Sequence, residues 1–270
     1  MRLTVAAIAA TLALGLAAPL ALAQGTPLLP GEKLLTVPSR PGIVMSFYAL
    51  PPQGGGAAGA SVILFTGGNG LIGATGGNFL LRTRAKFAAA GFFVISAGAA
   101  SDYRGGLTVA IRTSAEHAED VGALIEWARQ RNDRPVWLIG TSNGTISVAS
   151  AGARLAKADA RRRPNGLVMT STITPPRGTS FGPAQMTIDY SAIAAPTLFV
   201  HNKEDACAGS QFANLQPLIE RFSRAPKKEL IAFSGGDPPT SDACDAFSRH
   251  GYLGLEDKVI GAIIAWIKAN

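Results

Sequence analysis

The chain has 270 residues, which suits one α/β domain and leaves little room for a second. Hydrophobic residues make up 47% and charged residues 16%, so a disordered chain is excluded and a sizeable core is expected. The formal net charge of +7 is spread along the sequence; it favours anionic surroundings in general and names no substrate.

The first element is an export signal. Met1-Arg2 supplies a cation, Leu3 to Leu22 is almost wholly apolar, and Ala21-Leu22-Ala23 reads as a small-x-small cleavage site that leaves Gln24 first. A membrane-spanning helix is the competing reading, since about 20 apolar residues can span a bilayer. Gly15 and Pro19 interrupt the run and no basic stop follows. Residues 1–23 are therefore set aside as a signal peptide, and 24–270 is read as a single domain, periplasmic or secreted, with no stable membrane insertion after cleavage.

Lys33–Val37 and Ile43–Leu50 read as short strands joined by a Pro/Gly turn. Ser61–Phe65 is a continuous apolar run of the kind found in strands buried on both faces, and it ends at Thr66-Gly67-Gly68-Asn69-Gly70. Asn78–Ala90 has a helical pattern that stops at Gly91. Further along, Phe92–Ser96 predicts a strand, Thr113–Arg131 one long amphipathic helix, Pro135–Ile139 a strand and Gly144–Lys157 a helix. Leu167–Thr170 and Pro196–His201 are strands, Gln211–Phe222 a helix, Glu229–Phe233 a strand and Leu255–Lys268 the last helix. This alternation predicts a mostly parallel sheet with helices on both faces. Between Ile173 and Ala192 no helix is evident; Phe181, Met186 and Tyr190 there are candidates for a flap over a pocket or for core packing.

The run Arg161-Arg162-Arg163 is expected at a helix end, where cations suit the dipole. Without interleaved aromatics or a recognised motif it does not predict a nucleic-acid partner. Cys207 and Cys244 are the two cysteines; in an exported chain they are expected to form a disulfide. No histidine or carboxylate completes a zinc-ligand spacing with them, so no metal is expected.

Gly140-Thr141-Ser142-Asn143-Gly144 matches G-x-S-x-G. The motif recurs by chance in a glycine-rich chain, but here a strand-like run precedes it and a small-residue helical run follows. Strand, sharp turn and helix would expose the Ser142 hydroxyl at the tip, with the free N–H groups of the helix beside it. On these residues the chain resembles the α/β-hydrolase superfamily, as an exported, esterase-like serine hydrolase without a large cap domain. The resemblance extends over nearly all of 24–270. It implies an eight-stranded, mostly parallel sheet and a catalytic triad in the order Ser, acid, His, with no cofactor.

The remaining partners follow from the family's order. His250, in a loop between the last strand and the last helix, stands where the family has its base. His117 lies in a helical pattern before Ser142 and reads as a surface or packing residue; His201 ends a strand and reads as a hydrogen-bonding residue. Val200-His201-Asn202-Lys203-Glu204-Asp205 resembles the acid segment, with Asn202 where glycine is usual. Asp205 is the expected acid and Glu204 its near alternative. Asp189, Asp237, Asp242 and Asp245 read as solvated loop carboxylates. A Cys207–Cys244 bridge would tie the acid loop to the base loop, either positioning the triad or acting as a plain staple. For the oxyanion hole, the resemblance implies the N–H of Asn143 and one from the 66–70 loop, Gly68 first and Asn69 second. Many family members carry His-Gly in that loop; this chain has Thr66-Gly67.

The expected function is hydrolysis of a carboxylic ester, or a related acyl bond of a small molecule, through an acyl-enzyme on Ser142. A non-catalytic binding protein on the same fold and a small peptidase are the alternatives.

Overall fold

The computed structural model describes residues 26–73, 77–174 and 187–270. The expected signal peptide, Gln24, Phe181 and Met186 lie outside the described residues.

Eight strands form one sheet: β1 (Lys33–Arg40), β2 (Ile43–Leu50), β3 (Ser61–Phe65), β4 (Phe93–Ala100), β5 (Val136–Thr141), β6 (Gly166–Thr170), β7 (Thr197–Asn202) and β8 (Lys228–Phe233). Their spatial order is β1-β2-β4-β3-β5-β6-β7-β8. β2 is antiparallel to both its neighbours, and every other pairing is parallel. The helices are α1 (Phe79–Ala89), α2 (Val109–Arg112), α3 (Ala115–Asn132), α4 (Gly144–Arg154), α5 (Leu215–Glu220) and α6 (Glu256–Ala269).

The apolar runs of β3, β5, β6 and β7 are buried at every position, as parallel strands covered on both faces require. Alternation then sorts their side chains into two cores. Ile63, Phe65 and Leu138 pack with Leu124 and Ile125 of α3 and Val148 of α4. Val62, Leu64 and Trp137 pack on the opposite face with Phe79 of α1 and Ile263 and Trp266 of α6. The Trp137 and Trp266 rings meet edge to face at 5.3 Å. Full burial of one such side chain stabilises by about 1.5–3 kcal/mol.

Two expectations are corrected and one element is added. The helix expected over Thr113–Arg131 is α3, and a short helix that the sequence did not indicate, α2, precedes it. Hydroxyls divide them: Thr108 caps α2 through Ile111 N, Ser114 caps α3 through His117 N, and Thr113 Oγ1 donates back to Val109 O. The helix expected from Gln211 begins as a 3₁₀ turn at Phe212–Asn214 before α5. This leaves Pro217 in the first turn of α5, where its missing N–H costs no helical bond. Arg161–Arg163 does not sit at a helix end: α4 stops at Arg154, and two turns (Ala156 N to Ala153 O, Ala158 N to Leu155 O) intervene.

The order of the strands positions the site. From β3 the chain moves outward to β4, then returns to the other side of β3 as β5. At such a reversal the connecting loops diverge and leave a crevice beyond the C-terminal ends of the strands. The loop after β3 and the turn after β5 border that crevice.

Candidate active site

β5 runs straight into Ser142, whose φ is +52°, and α4 begins two residues later. A serine in the left-handed region is strained, and here it is held by its surroundings. Ser142 N donates to Thr170 O at the end of β6 (3.1 Å), and Thr145 Oγ1 donates to Ser142 O (2.6 Å). The glycines of the motif are sterically required. A Cβ on Gly140 would lie 2.6 Å from the Gly144 carbonyl carbon, and one on Gly144 would lie 2.0 Å from Phe65 O. Gly67 is equally confined, since a Cβ there would meet Ser142 Cβ at 2.9 Å. The turn, β3 and the loop after β3 are therefore packed at backbone contact distance.

His250 and Asp205 come from distant loops and meet. His250 Nδ1 lies 2.9 Å from Asp205 Oδ2, with both side chains almost fully buried. Asp205 Oδ1 accepts from Cys207 N (2.9 Å). An Nδ1–H donated to the carboxylate leaves Nε2 as the basic nitrogen, and Nε2 is buried with no partner among the described residues. His250 and Ser142 line one cleft of about 360 Å³, together with Gly67, Gly68, Phe79 and Phe247. Gly68 borders it and Asn69 does not, and Asn143 Nδ2 donates to Gly68 O (3.3 Å).

Matches among solved structures agree with this architecture. An α/β serine hydrolase without lid from Xanthomonas campestris is 16% identical, with a TM-score of 0.55 over 88% of this chain and 97% of that one. Esterase 2 of Thermogutta terrifontis is 15% identical, with a TM-score of 0.60 over 90% and 97%. Est1E of Butyrivibrio proteoclasticus is 14% identical, with a TM-score of 0.59 over 87% and 98%. No protein-family model and no curated protein matches the sequence.

The chain has the α/β-hydrolase fold.

In this α/β-hydrolase fold the other carboxylates and histidines fall elsewhere. Glu204 accepts from Gly235 N (2.8 Å) and faces Arg249 at 3.7 Å. Asp189 caps a 3₁₀ turn at Tyr190–Ala192, and the Tyr190 ring packs in the core against Phe222. Asp245 is an exposed loop carboxylate, as expected, and borders the cleft. His117 is a packing residue: it is buried, bonds Ser147 Oγ at 2.9 Å, and is held neutral by burial, then by Arg112 and Arg40, its pKa falling to about 3. His201 donates from Nε2 to Ser210 O (2.5 Å) and lies 3.6 Å from Asp205 Oδ2. Burial lowers its pKa although Asp205 opposes the shift.

The Cys207–Cys244 disulfide is present, spanning 37 residues with a Cα–Cα distance of 4.6 Å. It joins the loop carrying Asp205 to the loop carrying His250, and Cys244 borders the cleft.

Several site residues escaped sequence reasoning. Ser210 Oγ, fully buried, donates to Asp205 Oδ2 (2.8 Å) and lies 2.9 Å from His250 Nδ1. Tyr252, at φ +58°, donates to Val200 O (2.7 Å) and accepts from Ser171 N (2.9 Å), while Ser171 Oγ donates to His250 O (2.6 Å). Burial pushes the Tyr252 phenol up, so it remains a proton donor. The Ser210 pairing had one weak signal, a hydroxyl five residues after Asp205; the Tyr252 strap had none.

Proposed function

We propose that this chain is an exported serine hydrolase that cleaves a carboxylic ester of a small molecule through an acyl-enzyme on Ser142. The observation that carries the reading is the state of His250. Its Nδ1 is engaged by buried Asp205, and its Nε2 is unpartnered beside the cleft it shares with Ser142.

In this reading Ser142 Oγ attacks the acyl carbonyl carbon while His250 Nε2 takes its proton. Asp205 fixes the imidazole tautomer and stabilises the imidazolium. The N–H groups of Gly68 and Asn143 receive the charge that develops on the carbonyl oxygen. His250 then protonates the departing alcohol, and water, deprotonated by the same nitrogen, releases the acid. Ester rather than amide chemistry is favoured because the similar Thermogutta terrifontis protein is described as an esterase. Export is supported by the leader-like first residues and by the disulfide, and no described helix is long and apolar enough to cross a membrane.

The test is hydrolysis of a chain-length series of aryl esters by protein beginning at Gln24, beside Ser142→Ala. Turnover should fall by about 10⁵-fold or more in the variant. A folded wild type that hydrolyses none of the series and leaves a fluorophosphonate unreacted would overturn the reading in favour of a binding role.

A further inference from the structure

One buried cation is unused by the mechanism above. Arg112, at the end of α2, is 1% exposed and forms no ion pair with a described carboxylate. Its acceptors are neutral: Leu107 O from Nε (3.3 Å), Ser147 Oγ from Nη1 (2.9 Å), and Thr66 O (3.3 Å) and Gly68 O (3.2 Å) from Nη2. Burial lowers its pKa to about 10, which leaves it charged at neutral pH. The nearest histidine, His117, shares Ser147 Oγ and is itself held neutral. A buried charge without a counter-ion is costly, and the groups it holds indicate its role.

Thr66 O and Gly68 O belong to the peptides on either side of the Gly67–Gly68 peptide, which carries the Gly68 N–H. Fixing both flanking peptides fixes the plane between them. Gly68 has φ +55°, where the backbone of a glycine is otherwise free to turn. The loop also closes tightly over the guanidinium: a Cβ on Gly70 would lie 2.8 Å from Nη2. On its far side the guanidinium is held by Ser147, which stands on α4 just after Ser142 and Asn143. One side chain thus ties the loop bearing one oxyanion donor to the helix that begins at the other.

We infer that Arg112 is a positioning residue that aims the Gly68 N–H at the oxyanion site by clamping the 66–70 loop. The inference rests on the reading of Ser142 as an acyl-transfer nucleophile. A loosened donor should weaken binding of the transition state and leave binding of the ester nearly unchanged.

The experiment compares wild type, Arg112→Met, Arg112→Lys and Ser147→Ala with the aryl ester that wild type hydrolyses fastest. Active sites are counted by fluorophosphonate labelling carried to completion, so unfolded protein does not enter kcat. Arg112→Met should lower kcat about 30-fold with KM within about threefold, less than the 10²–10³ seen when a donor is removed outright. Lysine keeps the charge but not the fork, and should recover part of the loss, to about fivefold below wild type. Ser147→Ala should cost about threefold in kcat, the helix tolerating alanine well. If Arg112→Met does not fold, the other two variants decide by the same criterion. Wild-type turnover with kcat per site unchanged within about twofold in the folded variants overturns the proposal alone and leaves Arg112 as packing. A wild type inert to both ester and fluorophosphonate overturns the hydrolase reading and the proposal with it.

Discussion

Ser142 and the Asp205–His250 pair are held in place by different means. The serine is fixed by backbone contacts within one short motif and across adjacent strands: Gly140 against Gly144, Gly144 against Phe65, and Ser142 N on Thr170 O. Asp205 and His250 are 45 residues apart, on loops with little regular structure. They are held by cross-links: a disulfide, the Ser210 hydroxyl, and the Tyr252–Ser171 strap. A backbone elbow is rigid because its alternatives clash. A cross-linked pair is rigid only while every link survives, so the two regions should respond differently to perturbation.

The largest effect tests the pair itself. Asp205→Asn should lower kcat about 10⁴-fold with the fold retained, because the imidazole is then held in the wrong tautomer. Glu204→Gln, which removes the carboxylate facing Arg249, should change kcat by less than about twofold. Steady-state kinetics on one ester distinguishes them, and equal losses would mean that the wrong acid has been assigned.

Removing the disulfide asks whether the cross-link positions or merely stabilises. Replacing Cys207 and Cys244 together by alanine should cost about 4 kcal/mol in denaturant unfolding, from the entropy of the closed loop. Cys207 N also bonds Asp205 Oδ1 (2.9 Å), so the acid should loosen with the link. A fall in kcat of about tenfold is expected at temperatures where the variant is fully folded. Unchanged kcat beside reduced stability would make the bridge a staple.

The same contrast explains what could be read in the sequence. The motif around Ser142 was legible because its constraints are steric and local, and each glycine answers a backbone contact. The central strands were legible because a strand buried on both faces is apolar at every position, as Ser61–Phe65 nearly is. The short helix α2 was not, because its four residues, Val109–Arg112, are too few to carry a helical period. Asp205 and Glu204 are neighbours in sequence, and only their directions after β7 separate them. Arg112 and Ser210 act through partners 46 and 40 residues away, Thr66 and His250, so their roles appear only once the chain is folded.

A smaller effect is expected from Tyr252→Phe. The lost hydroxyl removes one donor to Val200 O and one acceptor for Ser171 N, and leaves the 3.1 Å bond from Ser171 N to Val200 O. Urea unfolding should show a loss of about 1–2 kcal/mol. With Ser171 Oγ still on His250 O, kcat should fall by less than about tenfold. A larger loss of activity than of stability would make this strap, rather than the disulfide, the main positioner of the base.

Acid sharpens the contrast last, because each region has one buried histidine behind it. His117 is bonded to Ser147 of α4, the helix that follows Ser142; His201 lies 3.6 Å from Asp205. Both have folded-state pKa values below the ordinary 6.5, mainly through burial. The unfolded chain therefore binds more protons than the folded one below about pH 6.5, and stability, complete above that pH, declines as the pH falls. For His117 the decline continues toward its folded value of about 3. Each histidine well inside its window contributes about 1.4 kcal/mol per pH unit to the slope. His117→Gln keeps a hydrogen-bonding partner for Ser147 but cannot titrate, so its stability between pH 6 and 4 should be flatter than that of wild type by about that slope. Asp205 lies beside His201 and favours its charged form, so His201→Gln should flatten the curve less and over a narrower range. Chemical denaturation at stepped pH measures both slopes. If the His201 variant flattened the curve more, the region around the acid, rather than that around the nucleophile, would be the first to yield in acid.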